Sequence, residues 1–172
     1  MSEIDVSEID VGESFVGSGA EAAHVNTVLG DREGPVGTAW ATALATPSAG
    51  HAPFVAVLRP GLPTKPLTLF VNKAAIASGE HGRLTWGAAQ AGVAAGVADA
   101  AVELALDDAE ADRVLLIAAV WVDPNAADAD LVFHNNRAAT FQALLAGRAR
   151  QPLLADVLEA RHHPENPFFT PR

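Results

Sequence analysis

The amino-acid sequence predicts a single domain of the mixed α/β class. A chain of 172 residues has enough material for one domain with a sizeable hydrophobic core. Hydrophobic residues make up 49% of the chain, and alanine and valine supply most of them, which favours close packing of small side chains. Short apolar runs of strand length occur along the chain together with longer alanine-rich segments, a pattern typical of strands combined with helices.

Four apolar segments predict strands. The first precedes the sequence GDREGPVG, whose glycine, proline and aspartate content indicates a loop. Prolines in RPGLPTKP exclude both helix and central strand between the second and third segments. The fourth, RVLLIAAVWV, is a continuous apolar run that predicts a buried strand. The predicted strands cover residues 22–29, 53–58, 67–76 and 113–122.

Three segments predict helices. The first consists of good helix formers and ends ahead of Pro47. The second contains Gly87, Gly92 and Gly96, and each glycine costs a helix about 1 kcal/mol relative to alanine, which predicts a close packing partner. The C-terminal sequence HHPENPFFTPR is too rich in proline to predict either element. The predicted helices cover residues 36–46, 87–105 and 135–148.

Two polar side chains, His24 and Asn26, interrupt the first predicted strand. Because successive residues of a strand point to opposite faces, these two residues share one face. Core residues that satisfy their own hydrogen bonds and residues of a functional site both fit this pattern. The period of the strand therefore identifies two candidates without choosing between the two roles.

Composition excludes several classes of partner and chemistry. A formal net charge of -10, with no run of lysine or arginine, excludes a nucleic-acid partner. The chain has no cysteine, so disulfides, thiolate nucleophiles and cysteine zinc sites are excluded. The histidines show neither an i, i+4 pair nor an HExxH motif, and no metal site is predicted.

The N-terminal sequence is acidic and contains the pentapeptide SEIDV twice. So short a duplication predicts a tail extension, residues 1–10, that precedes a domain of residues 11–172. An acidic start without a long apolar run is unlike a secretory signal. The alanine-rich segments carry charges and are too polar to cross a bilayer. We therefore expect a cytoplasmic protein with no membrane partner.

Several segments, taken in order, resemble the formaldehyde-activating enzyme family. The resemblance extends from about Val11 to Phe168, and GHAPFVAVLRPGLPTKPLTLFVNK at residues 50–73 is its most specific part. The other segments include VGSGAEAAHVNTVLG, GPVGTAWATALA, VWVDPNAAD and HHPENPF. The resemblance implies a single-domain two-layer α/β sandwich similar to the second domain of ribosomal protein S5. It also implies a ring-like homopentamer with a pterin site between neighbouring subunits.

The resemblance assigns roles to individual residues. His24 matches the proton-donating histidine of the family, and five further positions match residues that bind the pterin. These positions are Asn26, Val55, Lys73, Ala75 and Gln90.

Three of the matched positions depart from the family pattern. Asn26 stands where the family has aspartate, so a hydrogen bond to the pterin is no longer charge-assisted and is roughly half as strong. Ala75 replaces a threonine, and a buried ligand group that loses this hydroxyl costs on the order of 1 to 3 kcal/mol. Val55 replaces a leucine that contacts the pterin.

The activity implied by the resemblance is that of a lyase. It condenses formaldehyde with tetrahydromethanopterin to give methylene-tetrahydromethanopterin and water. An amine adds to formaldehyde to form a carbinolamine, and loss of the hydroxyl as water requires a general acid. Histidine, with an ordinary pKa near 6.5, can supply that proton near neutral pH. No tightly bound cofactor is implied, because tetrahydromethanopterin or a related pterin acts as co-substrate.

Asn26 and Ala75 leave two alternatives open. One is an enzyme of the same class that acts on another aldehyde or another amine carrier. The other is a non-catalytic homologue that binds a pterin or a formaldehyde adduct. Whether the host makes tetrahydromethanopterin discriminates the first activity from both alternatives.

Overall fold

The computed structural model of the chain describes residues 9–166 and 169–171. The strands are β1 (Asp10–Val16), β2 (Ala23–Asp31), β3 (Phe54–Val55), β4 (Val57–Arg59), β5 (Leu62–Pro63), β6 (Leu67–Asn72) and β7 (Val114–Trp121). The α-helices are α1 (Pro35–Ala45), α2 (Gly79–Arg83), α3 (Gln90–Glu103), α4 (Asp108–Arg113), α5 (Ala129–Arg148) and α6 (Leu154–Ala160). A 3₁₀ turn covers Gly19–Glu21, and a π-helical segment, Leu84–Ala89, joins α2 to α3.

Five of these strands form one sheet in the order β1-β2-β7-β6-β3. Neighbouring strands are antiparallel except β6 and β7, which are parallel. Parallel strands need a long crossover connection, and the chain from α2 to α4 provides it. β4 and β5 form a separate short antiparallel pair.

Two helices cover one face of the sheet. α3 and α5 pack against each other, and α5 also lies on β1 and β2. The side chains of Ala23 and Val25 point to this face and are buried in one cluster with Val93 and Val97 of α3. Sheet and helices thus form the two main layers of the domain and enclose its core.

The opposite face of the sheet, called the open face below, is only partly covered. Helix α1 contacts β2 and β7. Val36 of α1, Leu69 of β6 and Leu115 of β7 are buried but lie outside the main core cluster. We infer that α1 shields one end of the open face. The other end contains His24, at the start of β2, and is half-exposed.

α3 and α5 approach each other closely at two glycines. A Cβ atom on Gly96 would lie 2.5 Å from the carbonyl oxygen of Arg137, and one on Gly92 would meet the carbonyl oxygen of Phe133. The close partner predicted for these two glycines is therefore present. Gly87 differs, because a Cβ atom there would meet nothing within 4 Å.

An ion pair joins the same two helices. Arg137 donates two hydrogen bonds to the carboxylate of Asp99, at 2.6 and 2.9 Å. These hydrogen bonds lower the pKa of Asp99 from its ordinary value of 3.8. Because the folded state has the lower pKa, the pair contributes stability above that value and loses it as the pH falls through the lowered pKa.

The mixed α/β class is confirmed, and most predicted elements are present. β2 lies where strand 22–29 is predicted, and β7 lies where strand 113–122 is predicted. α1 matches the predicted helix 36–46. Within the described residues, no helix is both long enough and apolar enough to span a membrane.

Several predicted boundaries are wrong. The predicted strand 53–58 is divided between β3 and β4, and the predicted strand 67–76 ends at Asn72. α5 begins six residues earlier than the predicted 135, at Ala129, because the Asp128 side chain caps it by accepting hydrogen bonds from two backbone N–H groups. The helical crossover likewise begins earlier, at Gly79 rather than residue 87, after the capping residue Ser78.

The sequence patterns do not predict strand β1. Its sequence, DVGESFV, contains Gly12, and glycine weakens a strand. A Cβ atom on Gly12 would meet the carbonyl oxygen of Ala143, so glycine lets α5 lie directly on β1. Most of the predicted extension, residues 1–10, lies outside the described residues, and its last residue, Asp10, is the first residue of β1.

Candidate functional site

His24 lies in β2 on the open face of the sheet. Its neighbours along the chain point to the helices and are buried, whereas 38% of the His24 side chain is accessible. The register places His24 between Phe15 of β1 and Trp121 of β7. The imidazole is therefore accessible to a molecule bound on the open face.

Two residues of β1 contact the imidazole. Glu13 Oε1 lies 3.0 Å from His24 Nε2, and within the described residues no other carboxylate pairs with this histidine. The centroid of the Phe15 ring lies 5.3 Å from that of the imidazole, with 35° between the ring planes. Glu13 is directly opposite Asn26 in the register, so its side chain reaches His24 along the diagonal.

Asn26 is the next residue of β2 on the open face. It is half-buried, and in the register it lies between Glu13 and Ala119. In the part of the chain that the structure describes, the Asn26 amide has no hydrogen-bond partner. It can therefore offer a ligand one acceptor oxygen and two N–H donors, all without charge.

Lys73 and Ala75 follow strand β6. The backbone N–H of Lys73 donates to the carbonyl oxygen of Val120 at 2.7 Å, which places Lys73 beside Trp121. Lys73 is exposed, and among the described residues its ammonium group has no carboxylate partner. Ala75 is also exposed and packs against Gly50, where an added Cβ atom would lie 3.0 Å from the Ala75 Cβ atom.

The buried residue Asn72 holds this loop in place. Its Nδ2 atom donates to the carbonyl oxygens of Gly50 and Ala74, both at 2.8 Å. The backbone carbonyl oxygen of Asn72 accepts a hydrogen bond of 2.8 Å from His51 Nδ1. One side chain thus fastens the start of the loop after β6 to the loop around residue 50.

Val55 and Gln90 are linked through one edge of the sheet. Val55 lies in β3 opposite Leu69. Gln90 is buried at the start of α3, where Oε1 accepts a 2.8 Å hydrogen bond from the Val57 N–H and Nε2 donates to the Val57 carbonyl oxygen at 3.2 Å. Gln90 therefore fixes the edge segment that carries Val55.

A single chain does not enclose all six predicted positions. His24 and Lys73 flank Trp121 on strands two apart, a lateral separation of about 10 Å. Val55 lies three strands from His24, about 14 Å away in the same direction. Gln90 belongs to the helical layer on the other side of the sheet. The positions that lie at one end of the open face are His24, Asn26 and Lys73.

Three residues beside the site are not indicated by the sequence alone: Glu13, Phe15 and Trp121. The first two lie in β1, which the patterns do not predict, so their pairing with His24 could not be inferred. The only signal is the spacing of two between Val11, Glu13 and Phe15, which is that of one strand face. Trp121 is hidden in a continuous apolar run that gives no periodicity.

An open pocket of about 530 Å³ follows Ala75 along the chain. Beneath its rim, His81 accepts a hydrogen bond at Nδ1 from the Ala77 N–H and donates through Nε2 to the Val122 carbonyl oxygen, at 3.1 and 3.0 Å. Among the described residues, no group of three histidine or acidic side chains could hold a metal ion. The pocket is lined by Ile76, Ala77, Ser78, Gly79, Gly82, Arg83 and Trp86.

Comparison with known proteins gives consistent relatives. The chain is similar to a 5,6,7,8-tetrahydromethanopterin hydro-lyase of Methanosarcina barkeri, with 37% identity over 92% of this chain and 89% of the relative. It is also similar to bifunctional enzymes Fae/Hps of Methanococcoides burtonii, at 42% identity over 78% of this chain, and of Archaeoglobus fulgidus, at 38% over 94%. The matches span 34% and 41% of those two longer relatives.

The family match covers nearly the whole chain. The model of the family described as formaldehyde-activating enzyme (Fae) matches residues 11–169, from β1 to the segment after α6. This range includes all six predicted site positions and the three residues that surround His24. The chain therefore belongs to the formaldehyde-activating enzyme family.

Proposed function

We propose that the chain is a lyase that condenses formaldehyde with tetrahydromethanopterin to methylene-tetrahydromethanopterin and water. The observation that carries this proposal is the accessible imidazole of His24, held between Glu13 and Phe15 on the open face. Membership of the family supports the reaction class. The name of the Methanosarcina barkeri relative, which the match covers almost in full, supports the pterin as the amine carrier.

In the proposed reaction His24 is the general acid. One pterin nitrogen adds to formaldehyde to give a carbinolamine, and protonated His24 donates a proton to its hydroxyl group. The C–O bond then breaks, water leaves, and an iminium ion forms. The second pterin nitrogen attacks the iminium carbon, and neutral His24 accepts the proton that this nitrogen releases. The imidazole thus returns to its starting state, and general acid–base catalysis of this kind contributes about 10²- to 10⁴-fold.

Five further residues are proposed to bind the pterin. Lys73 provides an exposed ammonium group near His24, and the unpaired amide of Asn26 provides donors and an acceptor on the same face. Val55 and Ala75 provide apolar contacts. Gln90 can contribute a remaining N–H donor, because Val57 occupies only part of its hydrogen-bonding capacity.

We also propose that the complete site forms between copies of the chain in a homo-oligomer, a pentamer by resemblance to the family. The separation of Val55 and Gln90 from His24 within one chain supports a site completed by a neighbour. Helix α6 supports association, because four apolar residues, three in the helix and one directly before it, are 48% to 72% exposed. These side chains are Leu153, Leu154, Val157 and Leu158.

At the level of the fold, we propose one domain of residues 11–172 preceded by the acidic extension 1–10. The family match begins at residue 11, which supports this boundary. The sheet with α3 and α5 on one face supports a two-layer sandwich of the kind found in the second domain of ribosomal protein S5.

The test is the condensation itself. Purified protein is mixed with formaldehyde and tetrahydromethanopterin, and the rate of methylene bridge formation is compared with the spontaneous rate. We expect a clear acceleration that falls by about 10²- to 10⁴-fold in His24→Ala. His134→Ala is the matched control, because His134 is an exposed histidine on α5.

Four outcomes would count against the proposal. No acceleration by the unaltered protein would exclude the lyase activity on this pterin. Acceleration that survives His24→Ala would exclude the role of His24. Acceleration with a folate carrier or another aldehyde in place of these substrates would favour the alternative enzyme that Asn26 and Ala75 leave open, and binding without turnover would favour a non-catalytic homologue.

A further inference from the structure

We propose that Glu13 is a positioning residue that holds the His24 ring through Nε2 and leaves Nδ1 as the atom that exchanges protons with the substrate. The proposal rests on the proposed function of His24 as general acid. It adds a residue of a different strand to the site and assigns separate roles to the two nitrogens of the imidazole.

The contacts of His24 define its orientation. An ionised glutamate only accepts hydrogen bonds, so the 3.0 Å contact with Glu13 Oε1 requires a hydrogen atom on Nε2. The Phe15 ring packs against the imidazole at 5.3 Å and limits its rotation about the side-chain bonds. The two ring nitrogens flank Cε1, and their N–H directions diverge widely. Nδ1 is therefore directed away from Glu13 and carries a hydrogen only when His24 is protonated.

This arrangement is suited to each proton transfer. Protonated His24 gives its Nδ1 proton to the departing hydroxyl group, while Nε2–H stays on the Glu13 carboxylate. The neutral ring then has Nδ1 as a base, ready to accept the proton released when the second amine closes the methylene bridge. No tautomer change is needed between the two steps, because the Nε2 hydrogen never moves.

Glu13 also supplies a negative charge close to position 26, where this chain differs from the family pattern. The resemblance to the family implies an aspartate there, and this chain has the neutral Asn26. Glu13 is directly opposite Asn26 in the register and extends to His24 instead. A negatively charged partner for the imidazole is therefore present on β1 although position 26 of β2 is neutral. Hydrogen bonds with one ionised partner are about twice as strong as neutral ones, so the Glu13 carboxylate restrains the ring better than a neutral acceptor would.

The kinetic test compares Glu13→Gln with Glu103→Gln, an identical change at an exposed position of α3. Loss of a carboxylate that orients a metal-ligating histidine costs about 10- to 100-fold, and by analogy we expect kcat of Glu13→Gln to fall in that range while KM for the pterin changes less than about twofold. Glu13→Asp, which retains the charge, should recover part of the loss. In a His24→Ala background, Glu13→Gln should cause no further loss of kcat.

A second measurement reads the tautomer directly. Nuclear magnetic resonance of protein with ¹⁵N-labelled histidine should show neutral His24 as the Nε2–H tautomer, and Glu13→Gln should give a mixture. Thermal unfolding identifies any variant that fails to fold. If Glu13→Gln fails to fold, Glu13→Asp is compared with the unaltered protein instead.

The proposal is overturned by an Nδ1–H tautomer in the unaltered protein, by an unchanged kcat of Glu13→Gln, or by an equal loss of kcat in the His24→Ala background. If the unaltered protein does not catalyse the condensation at all, the proposed function fails. The tautomer measurement still decides whether Glu13 orients His24 in that case.

Discussion

Asn26 places an amide next to Glu13 and close to His24, on the part of the open face that α1 leaves accessible. Its unpaired hydrogen-bonding groups make it the residue where the binding preference of the site can be changed with the least disturbance to the fold. Ala75 is comparable, because it is exposed and lies in the loop next to Gly50.

We predict that Asn26→Asp combined with Ala75→Thr increases the affinity for tetrahydromethanopterin by about 5- to 10-fold, because a charged acceptor and a hydroxyl group are gained. Asn26→Asp should also reduce stability by about 0.2 to 1 kcal/mol, because like charges on Glu13 and its opposite residue repel each other. Calorimetric titration and thermal unfolding measure the two effects. An unchanged affinity would mean that the pocket suits another carrier.

At the scale of single residues, the sequence predicts positions better than contacts. A period of two correctly places His24 and Asn26 on one face, because alternation is a property of any strand. The partners of His24 could not be predicted in the same way. They depend on the register between β1 and β2, and Gly12 obscures β1 in the sequence.

Among the elements, α3 and α5 depend on each other through backbone contact. We predict that Gly96→Ala destabilises the protein by about 1 to 3 kcal/mol, because the added methyl group overlaps the carbonyl oxygen of Arg137. Gly87→Ala, in the π-helical segment that leads into α3, is the matched control. It should be neutral or stabilising by up to about 1 kcal/mol, since its methyl group meets nothing and alanine favours a helix.

Chemical denaturation measures both free energies of unfolding. Equal destabilisation by the two substitutions would show that the cost arises from the helix itself and not from contact with α5. Stabilisation by Gly96→Ala would show that the two helices can separate without loss.

The elements themselves were predictable where one segment carries its own signal. Long segments such as α1 and β7 show clear composition and boundaries. Other features were not predictable, because they depend on partners elsewhere in the chain. These are the short strands β3 and β4 and the early start of α5. Gln90, 33 residues further along the chain, fixes the edge at Val57, and Asp128 supplies a cap that lies outside the apolar pattern of α5.

At the scale of the whole molecule, the exposed apolar side chains of α6 determine the expected association. We predict that the unaltered protein sediments as an oligomer and that Leu154→Ser combined with Val157→Ser shifts it toward smaller species. The two side chains are 72% and 49% exposed, so the substitutions should not disturb the fold of the single chain. Val102→Ser is the matched control, because Val102 is 82% exposed on α3.

Analytical ultracentrifugation distinguishes these results. An unaltered sedimentation coefficient in the α6 variant would exclude this surface from the interface. A loss of association in Val102→Ser alone would indicate that the interface lies at the end of α3.

The overall assembly is the level that the sequence predicts least. Length and composition predict one domain, and the net charge of -10 argues against a nucleic-acid partner, because those properties depend on sums over the chain. Which face remains uncovered depends on where α1, α3 and α5 pack. That information is contained in contacts between distant segments, and so the open face and the exposed α6 become visible only in the folded chain.

Trp121 has a practical consequence through its position between His24 and Lys73. The chain has no tyrosine and only three tryptophans, so its ultraviolet emission comes from three indoles. The other two, Trp40 and Trp86, lie in α1 and in the π-helical segment. A ligand that bridges His24 and Lys73 must pass over the indole of Trp121 and change its surroundings. The protein thus carries an intrinsic fluorophore in the proposed site, and binding there can be followed optically without any label.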